Sequence, residues 1–159
     1  MVVAGSRAVV RALLRGSALV RDALSRDVEA QAGFPLNEFE VLERLVEAPE
    51  GAVRMAALAD ELVHSRSRLT HAVQRMEARG LVERRACAAD GRGVFCAITP
   101  RGAQAYAAAE PAYQAAVRAH VLDRLTDEEL DTLGRAMGRV ADEITGACAA
   151  HPGCASGSD

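Results

Sequence analysis

Residues 65 to 75 read Ser-Arg-Ser-Arg-Leu-Thr-His-Ala-Val-Gln-Arg, cations and hydrogen-bonding groups interleaved with apolar residues at helical spacing. At about 100° per residue, Leu69, Ala72, Val73 and Met76 gather on one side and Ser67, Thr70, His71 and Gln74 on the other, flanked by Arg68 and Arg75. The polar side carries no carboxylate. Free amides in the first turn add partial positive charge where a phosphate would approach. A helix entering the major groove needs this chemistry: Arg suits guanine, Gln suits adenine, and Ser and Thr reach bases or phosphates. The candidate double-stranded DNA contacts are Ser65, Arg66, Ser67, Arg68, Thr70, His71, Gln74 and Arg75. The wheel alone also fits an ordinary surface helix.

A second group of cations follows. Leu81-Val82 and Val94 to Ile98 flank a polar stretch ending in Asp90-Gly91-Arg92-Gly93, the pattern of two short strands around a Gly-rich turn. Arg84, Arg85 and Arg92 join the candidate contacts; Arg92, at the tip, suits a narrow, negative minor groove. Asp90 is expected to brace Arg92 or shape the turn.

Other chemistries find little support. His64, His71, His120 and His151 are scattered, and no phosphate-cradling Gly-rich loop follows a strand. The expectation is no enzyme and no cofactor. Cys148, His151 and Cys154 give three metal-capable groups near the C-terminus, too few for a tetrahedral site, so no metal is expected. Cys87 and Cys96 lie on the two arms of the hairpin, where oxidation would change its shape. A thiol-based redox-sensing protein using this pair is one alternative reading; an adaptor that does not bind DNA is another.

These residues need elements to hold them. Val10, Leu13, Ser17, Val20, Leu24 and Val28 form a stripe along a long amphipathic helix from about Ser6 to Gln31. Asn37 and Glu40 offer the capping pair of a second helix carrying Phe39, Leu42, Leu45 and Val46. A short helix from Met55 to Val63 and one from Arg66 to Arg79, capped by Ser65 and stopped by Gly80, lie on either side of a tight turn. Thr99-Pro100 opens a long helix reaching about Leu125, with a bend near Pro111. Thr126-Asp127-Glu128-Glu129 is a capping box before a last helix that loses its period at about Gly146.

Composition agrees. Half of the 159 residues are apolar, only 3% are aromatic and Trp is absent, a balance that favours helices and one core. The net charge of -3 hides an uneven distribution. From Arg54 to Arg101 nine arginines oppose five carboxylates, a net +4; elsewhere ten oppose seventeen, a net -7. A basic centre between acidic arms suggests one face for a polyanion. Arg7, Arg11, Arg15 and Arg21 interrupt the N-terminal apolar run, so no membrane partner and a cytoplasmic location are expected.

The ordered runs Ala57 to Leu62, Ser65 to Thr70, Met76 to Arg84, Asp90-Gly91-Arg92 and Ile98 to Gly102 resemble the winged helix-turn-helix of the MarR family of transcriptional regulators. The resemblance implies a mostly α fold: a winged helix-turn-helix lobe at about 36–102 with a two-stranded β-wing, and N- and C-terminal dimerisation helices at about 6–32 and 103–147. Residues 1–147 are expected to form one domain and 148–159 a flexible tail. It further implies a homodimeric repressor on a pseudo-palindromic operator, with Arg92 in the minor groove. One cation fewer than the family often has stands at the wing tip, Gly91 preceding Arg92. The apolar surface of the terminal helices supports the dimer independently. The resemblance also implies a small-molecule effector, with Phe34, Phe39, Tyr106 and Tyr113 as candidate pocket residues; as residues, all four suit core or interface packing.

Overall fold

The structure, a computed structural model, describes residues 5–62, 65–86 and 93–150, with side chains to residue 146. Helix α1 spans Ser6–Ala32, α2 Leu36–Glu47, α3 Met55–Glu61, α4 Arg66–Ala78, α5 Pro100–His120 and α6 Asp127–Ala150; the strands are β1 Ala52–Arg54, β2 Val82–Ala86 and β3 Val94–Ile98. The contacts divide the chain into a unit ending at His120 and a second beginning at Val121.

In the first unit, α2 supplies the centre of the core. Phe39, Val41, Leu42 and Leu45 are fully buried and meet Leu58 of α3, Leu69, Val73 and Met76 of α4, Val28 of α1 and Cys96 of β3. Each such side chain contributes about 1.5–3 kcal/mol on leaving water, which is why short helices such as α3 hold in place.

The helix starts follow local chemistry with one correction. Ser65 Oγ accepts from Arg68 N at 3.3 Å, and Thr99 Oγ1 accepts from Gly102 N at 3.0 Å, as their sequences predict. Asn37 does not cap α2. The cap is Pro35, whose extended backbone turns its carbonyl toward Glu38 N (2.9 Å) and Phe39 N (3.3 Å), placing Asn37 inside the first turn. At the end of α4, Gly80 takes φ +71°, a left-handed conformation that costs glycine little.

The sheet has three antiparallel strands in the order β1-β3-β2, one more than the wing hairpin that the sequence predicts. Ala52, Val53 and Arg54 pair with Ala97, Cys96 and Phe95, while Val82 to Ala86 pair with Ile98 to Val94. Placing β3 in the middle sets the hairpin against the start of α3. Thr99 then locks the hairpin to α5: its hydroxyl lies 2.7 Å from Gly80 O and 3.1 Å from Leu81 O.

Helix α5 continues through Pro111 and ends at His120, earlier than expected. In the second unit a 3-10 turn at Leu122–Arg124 leads to the capping box: Glu129 Oε2 accepts from Thr126 N (2.8 Å) and Thr126 Oγ1 from Glu129 N (3.3 Å). Helix α6 runs on to Ala150, past the expected end near Gly146, because Ala147, Ala149 and Ala150 are strong helix formers. The rest of the expected tail, residues 151–159, lies outside the described residues, as do His64, Cys87, Asp90, Gly91, Arg92, His151 and Cys154.

Candidate nucleic-acid interface

The buried side of α4 is the one its wheel predicts: Leu69, Ala72, Val73 and Met76 are all 1% exposed or less. The opposite side presents Ser65, Arg66, Ser67, Arg68, His71 and Gln74 to solvent, with Thr70 half-buried. Thr70 Oγ1 donates to Arg66 O at 2.8 Å, so its hydroxyl hydrogen is committed to the helix and the oxygen remains an acceptor. Arg66 and Arg68 make no ion pair among the described residues. Their charge is available to a polyanion.

Arg75, Arg84 and Arg85 are engaged. Arg75 Nε lies 3.1 Å from Glu38 Oε1. Arg84 pairs with Glu77 at 3.1 Å, and the same carboxylate accepts from Arg84 N at 3.0 Å, pinning the start of the wing to α4. Arg85 pairs with its neighbour Glu83 on an exposed stretch of β2. The exposed Arg85–Glu83 pair contributes about 0–1 kcal/mol, little enough for a phosphate to replace the carboxylate.

Sequence reasoning missed Arg54. Its guanidinium lies 5.3 Å over the Phe95 ring, and it shares with Arg66, Thr70, Met55, Ala56 and Val94 a cleft of about 460 Å³ between α3, α4 and the base of the wing. A cation directly before a short helix was the available signal, but only the β1–β3 pairing brings it beside Arg66.

A larger cleft of about 870 Å³ lies between α1 and α4, lined by Arg21, Ser25, Asn37, Arg68, His71 and Arg75 among others. Arg21 is held there by Glu40 through two hydrogen bonds of 3.0 and 2.8 Å.

Three of the four candidate pocket aromatics come together. Phe39 stacks on Tyr106 at 5.2 Å and meets Tyr113 at 4.5 Å between ring centroids, while Phe34 instead lies under Arg79 at 5.5 Å. Burial, reinforced by Glu110 and Glu43, raises the Tyr106 hydroxyl above its ordinary pKa; burial and Glu43 do the same to Tyr113. Glu43 itself is raised by burial and by Glu47, Glu40 and Glu110, against the pull of Arg44.

Cys96 is buried in β3, opposite Arg84. Burial pushes its thiol up to about 12, Glu77 adding to the effect and Arg84 opposing it. Among the described residues no group of three or more His, Cys, Asp or Glu could hold a metal, and no helix is long and apolar enough to cross a membrane.

An outward helix face of Arg, Ser, His and Gln beside a three-stranded wing, on a core built around α2, defines a winged helix-turn-helix protein. The comparisons give the family. Residues 32–93 match the model described as MarR family. The crystal structure of Sco3205, a MarR family transcriptional regulator from Streptomyces coelicolor in complex with DNA, is 36% identical, covers 91% of this chain and 94% of its own, and has a TM-score of 0.84. AbsC, a MarR family regulator from the same organism, is 32% identical over 92% of this chain and 98% of its own, with a TM-score of 0.83. CouR from Rhodococcus jostii RHA1, bound to p-coumaroyl-CoA, shares the fold at 22% identity, with a TM-score of 0.70 over 81% of this chain and 88% of its own. A comparison with curated proteins gave no match. The chain belongs to the MarR family of transcriptional regulators, DNA-binding proteins of the winged-helix type.

Proposed function

We propose that this protein is a cytoplasmic, homodimeric repressor that binds a pseudo-palindromic operator in double-stranded DNA and is released by a small anionic ligand. The observation that carries the reading is the carboxylate-free outward face of α4, where Arg66, Ser67, Arg68, His71 and Gln74 stand exposed over a fully buried apolar side. Its similarity to a relative crystallised with DNA supports it. The DNA-binding lobe is residues 36–102, and Ser65, Thr70, Arg84, Arg85 and Arg92 belong to the interface, with Arg54 as an added phosphate contact.

The dimer rests on apolar surface left uncovered. On α1, Val9, Val10, Leu14 and Leu19 are more than half exposed. On α6, Leu133, Val140 and Ile144 are exposed. Pairing of residues 6–32 and 103–147 with a second copy would cover such surface. Two copies of α4 would then meet successive major grooves about 34–36 Å apart.

For the effector, charge argues for the α1–α4 cleft, which offers Arg68 and His71 to an anion, beside Asp22 and beside Arg75, itself paired with Glu38. The rings of Phe39, Tyr106 and Tyr113 touch one another, so a ligand between them would have to displace a packed side chain.

The test is a titration, at several salt concentrations, of a duplex taken from directly upstream of the protein's own gene, with random duplex as control. Selective binding that weakens steeply with salt and is lost in Arg68→Ala is the expected result. No binding to either duplex at low salt overturns the reading in favour of an adaptor.

A further inference from the structure

Helix α4 and its C-terminal cap carry four arginines, and Glu38 divides them. Arg66 and Arg68, in the first turn, are exposed and make no ion pair among the described residues. Arg75 and Arg79 both reach back to α2, where Glu38 Oε1 accepts from Arg75 Nε at 3.1 Å and Oε2 from Arg79 Nη1 at 2.9 Å. Glu38 is only 2% exposed, the one buried charged residue among those described.

The environments of the three groups differ in a way that matters. A buried carboxylate is tolerated only when its oxygens are paired, and both of Glu38's are. The guanidiniums are half in solvent, 56% exposed for Arg75 and 42% for Arg79, so they would remain solvated without their partner. The clasp therefore acts on orientation and on charge. It fixes the roll of α4 on α2 through two separated points, and it ties down a cation that lines the same cleft as Arg68 and His71.

We propose that Glu38 is a positioning and specificity-determining residue of the DNA interface: it sets the roll of α4 and withholds Arg75 from phosphates. Every cation free to meet phosphate strengthens binding to all sequences alike and steepens the salt dependence by about 0.9 in log K per log salt. Specificity is a difference of affinities, so an unclasped Arg75 raises the background while a freely rolling α4 loses alignment with base edges. The outcome of removing one acid is a stickier but less discriminating protein. This inference rests on the DNA-binding reading above.

The test uses the full chain and both duplexes over a range of salt. Glu38→Gln keeps the size and one acceptor but removes the charge. Expected are random-duplex affinity raised about tenfold at low salt, a slope steeper by about two contacts, one for each protomer of the dimer, and a selectivity ratio lowered about tenfold, the scale of one lost base contact. A role in folding stability alone would not steepen the slope. Arg75→Gln is expected to leave the slope unchanged in the native background and to restore it in the Glu38→Gln background, a double-mutant cycle on the clasp. An unchanged slope and ratio in Glu38→Gln overturn the proposal, as does a flatter slope in Arg75→Gln alone, which would make Arg75 a direct phosphate contact. The Arg75→Gln result decides even if Glu38→Gln does not fold. Failure of the native protein to bind either duplex overturns the DNA-binding reading itself, a distinct outcome.

Discussion

The carbonyl oxygen of Leu81 lies 2.0 Å from where a Cβ on Gly102 would stand, and Ile98 Cγ1 lies 2.9 Å from the same point. No side-chain motion relieves a clash with backbone. The first turn of α5 must therefore sit directly on the start of the wing, where Thr99 also binds the carbonyls of Gly80 and Leu81. Gly102→Ala is expected to destabilise the fold by about 2–3 kcal/mol through overpacking, measured by urea denaturation. A loss below about 0.5 kcal/mol would mean that the junction is loose.

The aromatic cluster makes a second prediction. Phe39 is fully buried with Tyr106 and Tyr113 on its ring, so Phe39→Ala removes both its buried area and two ring contacts. The expected cost is about 3–5 kcal/mol. Phe34→Ala provides the contrast in binding: Phe34 packs under Arg79. If the α1–α4 cleft holds the effector, Phe34→Ala leaves effector affinity unchanged by calorimetry.

Glu43 gives the pH dependence. Its folded pKa lies above the ordinary value of a glutamate, mainly through burial. A carboxyl raised on folding contributes stability that is present below the unfolded pKa and lost as pH rises through the folded value. At neutral pH the native protein thus holds a carboxylate its surroundings disfavour. Glu43→Gln is expected to raise Tm at pH 7 by about 1–2 °C and to leave it unchanged at pH 4. A Tm gain equal at both pH values would place the effect elsewhere.

How much of this was legible in the sequence depended on the range of the interactions. Ser65, Gly80 and Thr99-Pro100 fix their helix ends through partners within a few residues, and the ends of α4 and the start of α5 fall where those residues predict. The extra strand was invisible, because Ala52-Val53-Arg54 is too short to show alternation and is a strand only through β3, more than forty residues on. Asn37 looked like a cap, yet Pro35 supplies the extended residue two positions earlier. Among the interface candidates, Arg66 and Arg68 are exposed and make no ion pair among the described residues. Arg75 looked equivalent on the wheel, but its partner Glu38 lies thirty-seven residues away on another helix. Local pattern assigned the faces; it could not assign the pairings across them.

Cys96 yields a prediction on reactivity and on stability. With its thiol pushed up to about 12 by burial, it is expected to resist alkylation at pH 8 in the native protein and to react once urea unfolds the chain, read by mass spectrometry of the labelled peptide. Its raised pKa also contributes stability present below about pH 9, the ordinary thiol value, and lost as pH rises toward 12. Labelling of native Cys96 as fast as in urea would show that the wing opens readily, and would revive the redox reading for this residue.

Ser65 separates two roles that coincide at the start of α4. Its hydroxyl caps the helix by accepting from Arg68 N, and it stands exposed where the first-turn amides would meet phosphate. Ser65→Ala loses the cap, at a cost of about 1 kcal/mol, and weakens DNA binding only as far as α4 frays. Ser65→Asp keeps a good cap and adds a negative charge that favours the helix dipole, so stability is expected to hold or rise slightly. The same charge faces the polyanion. Affinity for DNA is therefore expected to fall at least tenfold at low salt while Tm does not fall. Opposite signs in stability and binding would locate the phosphate at the α4 N-terminus, because a surface helix with no DNA partner would gain from Asp and lose nothing. If Ser65→Asp binds DNA as tightly as the native protein, the phosphate lies elsewhere and α4 meets DNA through its later turns.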